Sequence, residues 1–433
     1  MSILLLMDDD GLLSPPSGFG YTPPFNIYSD GTTSFRFDSL YDAIDPADIT
    51  DYYVSPSGAP GNDGLTPALP KRSLGGIIAA AAGAATPWVR INMDAGDYPH
   101  NEQISLRNGD MKNVIMRAAG NVRTGPFLKG TFFTWANTSG TTYSTTRAGV
   151  NAVLNDASFD SFGDYAKFTL AASQVACEAT PNSWFLSGST LYVNNGVGQP
   201  GVNILICLSA NNAQIINSNT QWIFDAGASN KIEFIGGNNY CLDSLPNGVG
   251  HRLYFRNCWF RFSPANGLNV RGTPLSIMYG GGASANGTDG LNYHADNSLT
   301  YFPVAIEIGC NSFNNGVSGT TQNCSTMHDG GTIIRVNGSY NGSLGPVVAD
   351  VNDGTQSWNI RCDARNSTIN DSSATDASWC VFTGTAKMWL DRCTYGAGAS
   401  TSEYDLSVGA GSTMYLRGTL PGTNSVAGTL TTY

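Results

Sequence analysis

The chain has 433 residues and a formal net charge of −11, with 13% of its residues charged and 11% aromatic. An acidic chain with 22 Lys and Arg lacks the basic surface that nucleic acid requires. The aromatic content excludes disorder, which goes with few aromatics and high charge, and the 51 glycines among short apolar runs rich in Asn, Ser and Thr point to an all-β chain.

The apolar run in "MSILLLM" (1–7) ends at Asp8–Asp10 and has neither the basic start nor the length of a secretory signal. No stretch approaches the roughly 18 apolar residues of a membrane span. No membrane insertion and no signal peptide are therefore expected. Residues 1–50 hold two Pro-Pro pairs, Pro15-Pro16 and Pro23-Pro24, and show little periodicity. They read as an extended arm that docks onto something and is mobile in a lone chain.

Residues 51–120 begin with a short strand (Tyr52–Ser55), pass through a Gly/Asn/Asp/Pro turn cluster and reach an Ala-rich helix over Ser73–Ala85. A new strand opens at "WVRINM". The text "YYVSPSG…NDG…P" over residues 51–100 resembles the opening segment of right-handed parallel β-helix proteins of the pectate-lyase-like kind. The resemblance implies that the helix covers the first rung, which would otherwise expose a row of unpaired backbone groups.

Residues 121–200, and within them Phe127–Asn195, read as an inserted segment of short antiparallel strands, with a hairpin in "GSTLYVNNGVGQPGVNI". From "NILICLSANN" onward, over 201–400, short alternating strands end in Cys, Gly or Asn and a Gly/Asn turn. They recur at roughly 20–30 residues, one solenoid coil each. Residues 401–433 read as final coils, a cap or an oligomer contact. Of the nine cysteines none forms a CxxC pair, so buried free thiols are expected, with Cys258, Cys310, Cys362 and Cys393 stacked inside the coil. The expected fold is all-β: a right-handed parallel β-helix solenoid with an N-terminal arm, a short capping helix and an inserted antiparallel β segment.

Asp289, Glu307, Asp329 and Asp350 are separated by 18, 22 and 21 residues, close to one coil each. Parallel coils lie about 4.8 Å apart, and glycosidase carboxyl pairs need about 5 to 9.5 Å, so a column of carboxylates on one side is expected. Glu307, in "AIEIG", points opposite to Ile306 and Ile308. His294 sits between Asp289 and Asp296, and His328 adjoins Asp329. A His with a carboxylate partner serves as acid or base near neutral pH. These six, Asp289, His294, Glu307, His328, Asp329 and Asp350, are the candidate catalytic residues.

"GLNYHAD" (290–296) is loosely similar to the His-bearing strand of β-helical alginate epimerases and lyases, where the His is a base beside a uronate. Asn292-Tyr293 replaces that family's Asp-Pro, and Ala295 its following Asp. Arg271, Arg335 and Arg361 are available to a lyase, but no acidic cluster suits calcium. No metal and no cofactor are expected.

The layout of arm, β-helix body and small C-terminal β segment resembles phage tailspikes and tail fibres. That resemblance implies a homotrimer in the virion tail, held to a tail or baseplate protein through residues 1–50. It implies binding to host cell-surface glycan, with cleavage by hydrolysis or elimination left open. The alternatives are a bacterial β-helix polysaccharide lyase or C5-epimerase centred on His294 and His328, and a non-enzymatic adhesion or structural β-helix.

Overall fold

The computed structural model describes residues 11–99, 104–106, 112–209, 214–216, 219–245, 248–317, 322–367, 377–396, 404–419 and 423–433. Short alternating strands separated by turns fold into coils of three strands each. One coil comprises Val304–Ile308, Asn311–Asn315 and Ser325–Met327; the next comprises Thr332–Val336, Ser339–Ser343 and Val348–Val351. Corresponding strands pair in parallel, building a first, a second and a third sheet along the molecule. The body is therefore a parallel β-helix, as the turn spacing leads one to expect. One residue in two points inward, and the interior is a continuous column of apolar side chains.

The corner between the first and second sheets explains the cysteines. At this corner Asn257, Gly280, Gly309, Asn337, Arg361, Arg392 and Gly418 all take positive φ, between 52° and 68°. Such a conformation costs a non-glycine residue on the order of 1 kcal/mol and persists because the stack above and below fixes it. Cys258, Cys310, Cys362 and Cys393 follow directly and turn inward, where only a small side chain fits. Cys258, Cys310 and Cys393 place Sγ 3.7, 3.5 and 3.3 Å from a carbonyl of the preceding coil. All nine cysteines are buried and free of disulfides.

The capping helix runs over Leu74–Ala82, with Ser73 Oγ accepting from the Gly76 amide, and ends at Gly83. Its Leu74, Ile77, Ile78 and Ala81 close the first coil. The insertion forms two sheets, antiparallel but for the parallel pair Thr169–Leu170 and Ser183–Ser187, and is longer than its expected extent. Ile204–Leu208, expected as the first coil of the body, pairs antiparallel with Phe127–Lys129 and Val150–Phe159. All five residues of "ILICL" are buried, so the strand lacks the alternation that separates a coil strand from a two-sided one.

Residues 11–45, expected to be mobile in a lone chain, are seated on the chain's own first sheet. The outer face of that sheet carries an apolar stripe including Ile223, Ile277, Ile306, Ile334, Trp358 and Trp389, and Phe19, Ile27 and Phe37 cover it. Phe19 packs edge-on against Trp358 and Trp389 of late coils, while the Tyr41 hydroxyl donates to Asp225 of an early one at 2.5 Å. The arm thus runs back along the solenoid before entering the strand Ile49–Ala59. Arg361 and Arg392 each donate to the Ser29 carbonyl at 2.8 Å, which anchors it midway. At the other end, Tyr404–Val408, Thr413–Arg417, Asn424–Val426 and Thr429–Thr432 continue the stack as final coils.

Candidate functional site on the third sheet

Three successive third-sheet strands, Leu242–Ser244, Leu268–Arg271 and Leu291–His294, begin with an inward leucine followed by a polar residue. Leu242, Leu268 and Leu291 enter the core, so Asp243, Asn269 and Asn292 point away from it, in register with Thr326, although neighbouring groups leave these four at most 6% exposed. One position further out along the strands, Arg271 pairs with His294. His328 directly follows Met327, the last residue of the next strand. The result is a polar strip on one outer face.

Hydrogen bonds hold the strip in a fixed geometry. Asp243 accepts from Asn269 Nδ2 at 2.7 Å and from Arg271 at 2.6 Å. That fixes the Asn269 amide, leaving its Oδ1 3.2 Å from His294 Nε2. His294 Nδ1 lies 3.0 Å from the Ala295 carbonyl, so each ring nitrogen faces an oxygen that can only accept, and a neutral ring can donate to one of the two. Burial, then the neighbouring His328 and Arg271, pull the His294 pKa down to about 4, with Asp329 opposing. At neutral pH the ring is therefore uncharged, and the nitrogen without the proton turns its lone pair toward an oxygen acceptor. A ligand hydroxyl entering beside Asn269 Oδ1 can donate to that oxygen.

His328 completes the strip. Its ring meets that of His294 edge to face with centroids 6.5 Å apart, and its Nε2 lies 3.0 Å from Thr326 Oγ1. Asp289 is 8% exposed and accepts from the Asn323 amide at 2.9 Å and from Asn292 Nδ2 at 2.7 Å. Burial raises its pKa, opposed by the charge of His328. Asp329, at φ 56°, accepts from the Asn352 side chain.

Four of the six expected residues, Asp289, His294, His328 and Asp329, thus come to one face, and two do not. Glu307 does point opposite to Ile306, but the side it takes is the interior, because the arm covers the outside of the first sheet. It is fully buried, accepting from Ser325 at 2.9 Å and Tyr340 at 2.5 Å. Asp350 is equally buried and is gripped by both terminal nitrogens of Arg335 at 2.9 Å. The carboxylate column does not form. Glu307 stands in register with Met278 and Arg335, whereas Asp350 stands in register with Met327 on a different sheet. Spacings of 18 to 22 residues are shorter than these coils, in which Val304, Thr332, Gln356 and Lys387 lie side by side.

Asp243, Asn269, Asn292 and Thr326 escaped the sequence reading as site residues, and Arg271 was named there only as a basic residue available to a lyase. A signal was present: "GLNVR" (267–271) and "GLNYH" (290–294) are the same pentapeptide pattern one coil apart. Among the described residues no three His, Cys, Asp or Glu side chains converge as metal ligands.

No protein-family description and no curated protein sequence matches the chain. Among solved structures it is similar to XylC in complex with xylose, at 9% identity, covering 88% of this chain and 70% of that one, with a TM-score of 0.49. A glycoside hydrolase matches at 9% identity over 88% and 96% of the two chains, with a TM-score of 0.38. The tailspike protein gp49 from Pseudomonas phage LKA1 matches at 15% identity over 82% and 71%, with a TM-score of 0.23.

Proposed function

We propose that this chain is a polysaccharide-recognition protein that engages its glycan on the outer face of the third sheet, in the manner of a phage tailspike or tail-fibre receptor-binding protein. The observation that carries the reading is the meeting of His294 and His328 on that face, beside the side chains of Arg271, Asn269 and Asn292. Sugars present rings of hydroxyls, and planar side chains with fixed donors and acceptors match them. Neutral His294 adds a ring nitrogen held beside the Asn269 amide oxygen.

Recognition is favoured over cleavage because two carboxylates of the strip, Asp289 and Asp243, are already engaged. Both oxygens of Asp289 and both of Asp243 accept hydrogen bonds within the protein. The enzymatic reading draws on a different pair of facts: Asp289 is held toward its acid form and His294 toward its free base, the two states that hydrolysis or elimination uses. A homotrimer, a host cell-surface glycan as ligand, residence in the virion tail and attachment to a phage tail or baseplate protein through residues 1–50 belong to the same reading. Residues 1–10 of that segment lie outside the described residues.

The test is incubation with capsule and lipopolysaccharide preparations, with binding and products both measured. Binding that weakens in His294→Ala and His328→Ala supports recognition at this face, and binding that both variants leave untouched rejects it. New reducing ends would mean hydrolysis, and an unsaturated uronate chromophore would mean elimination. Light scattering that gives a monomer rejects the tailspike layout.

A further inference from the structure

A second groove, of about 470 Å³, lies at the corner between the first and second sheets, on a side of the solenoid that the His294 strip does not use. Its floor is Gly280, Gly281 and Gly309, its wall is Trp259, and its rim is Asn121, Asn230, Asn257, Asn311 and Lys231. Trp259 is held firmly: the Arg261 guanidinium lies 4.4 Å from its ring centre and Phe313 packs against its edge at 5.8 Å.

The groove exists because two successive corners carry glycine. Everywhere else from Asn257 to Arg392 the corner position bears a side chain, Asn257, Asn337, Arg361 or Arg392, each with φ of 52° or 53°. The conformation therefore does not require glycine. Gly280 is explained by packing, since a β-carbon there would strike the Asn257 side-chain oxygen. Gly309 is not: its φ of 61° is one that Asn and Arg accept at sister corners, and a β-carbon would meet nothing within 4 Å. Its effect is to leave the trough open over two coils, about 10 Å of length, which accommodates a disaccharide unit.

The lining indicates the ligand's charge. Lys231 is the groove's charged residue, and its ammonium is paired with the buried Glu233 at 3.0 Å. Beneath the rim, Glu233 also meets Arg261 at 3.1 Å and accepts from the Tyr165 hydroxyl of the insertion at 2.9 Å. Amide side chains and one indole remain for the ligand. We infer that this corner groove binds a neutral saccharide segment, with Trp259 packing against a sugar ring and the asparagines meeting its hydroxyls. The inference extends the polysaccharide reading to a second site and rests on that reading in its ligand class.

The test is a glycan array of neutral and acidic bacterial polysaccharides probed with wild type, Gly309→Asn, Trp259→Ala and the double variant His294→Ala/His328→Ala. Gly309→Asn installs the residue that two sister corners already use, so its melting temperature is expected to match wild type. The expected result is a neutral-glycan signal that falls at least about tenfold, equivalent to 1.4 kcal/mol, in both groove variants and persists in the histidine variant. A neutral-glycan signal unchanged by both groove variants overturns the inference, as does binding confined to acidic glycans. Loss in the histidine variant alone places all recognition on the third sheet and also rejects the groove. If Trp259→Ala fails to fold, Gly309→Asn decides alone.

Discussion

The rings of His294 and His328 meet edge to face with centroids 6.5 Å apart, on adjacent third-sheet coils. Replacing either with Ala removes a polar ring from the outer strip and leaves the core column untouched. Glycan affinity is expected to fall about tenfold, the scale of one lost hydrogen bond to a well-fixed group. The melting temperature should stay close to that of wild type. Titration calorimetry and thermal melting of the two variants check both halves of this expectation.

Glu307, Arg335 and Asp350 form a fully buried ionic group inside the coil. Breaking it from one side leaves charge without a partner, so Arg335→Ala should destabilise the fold by about 3–5 kcal/mol. Burial raises the Glu307 pKa despite Arg335, so the carboxyl is already biased toward protonation. Glu307→Gln should consequently cost less than Arg335→Ala and should leave glycan binding at wild-type strength. Urea unfolding of the two variants gives the order, and a binding defect in folded Glu307→Gln would contradict the placement of this residue.

His251 is fully buried between Ser244 Oγ and the Thr220 carbonyl, each at 2.9 Å, and burial lowers its pKa from 6.5 to about 4. Above pH 6.5 the ring is neutral in both folded and unfolded chains and contributes no pH dependence. Between pH 6.5 and 4 the unfolded chain takes up a proton that the folded chain refuses, so stability falls as pH falls. The full loss from this residue is about 3 kcal/mol. His251→Gln should flatten that part of the curve, which denaturant midpoints across the window would show.

Phe37 lies under the Arg256 guanidinium at 4.7 Å and against Tyr279, in the stretch where the arm crosses the middle coils. Phe37→Ala should release the arm locally, since a buried Phe→Ala change costs about 3–5 kcal/mol. Cleavage by a dilute protease within residues 19–45 should accelerate, and binding of a hydrophobic dye to the uncovered Ile277 and Ile306 stripe should rise. Equal cleavage rates in variant and wild type would mean that the remaining contacts, at Phe19 and Ser29, hold the arm by themselves.

Legibility followed the range of the interactions. The coil strands were readable because alternation is local, and the capping helix because Ser73 and an Ala run suffice to start and extend it. The corner cysteines were readable as a stack because each follows a residue of the same positive-φ corner. Ile204–Leu208 was misread because burial on both faces erases alternation. The arm was read as mobile because its apolar residues, Phe19, Ile27 and Phe37, are spaced to fit a stripe that exists only once the first sheet has formed.

The sequence by itself determined that this chain is a β-solenoid: the turn residues, the two-residue period and the recurrent coil are all properties of neighbours along the chain. It placed His294 and His328 roughly one or two coils apart, and the strand register makes it one. Only the tertiary structure decided which acids turn into the core. A side chain's direction in a strand is fixed modulo two by the sequence, but which of the two sides is the interior depends on what covers the other. For Glu307 and Asp350 the answer was the core, and for Asp289, His294, His328 and Asp329 it was the outer side of the third sheet, where hydrogen bonds to Asn292 and Asn323 still leave Asp289 only 8% exposed.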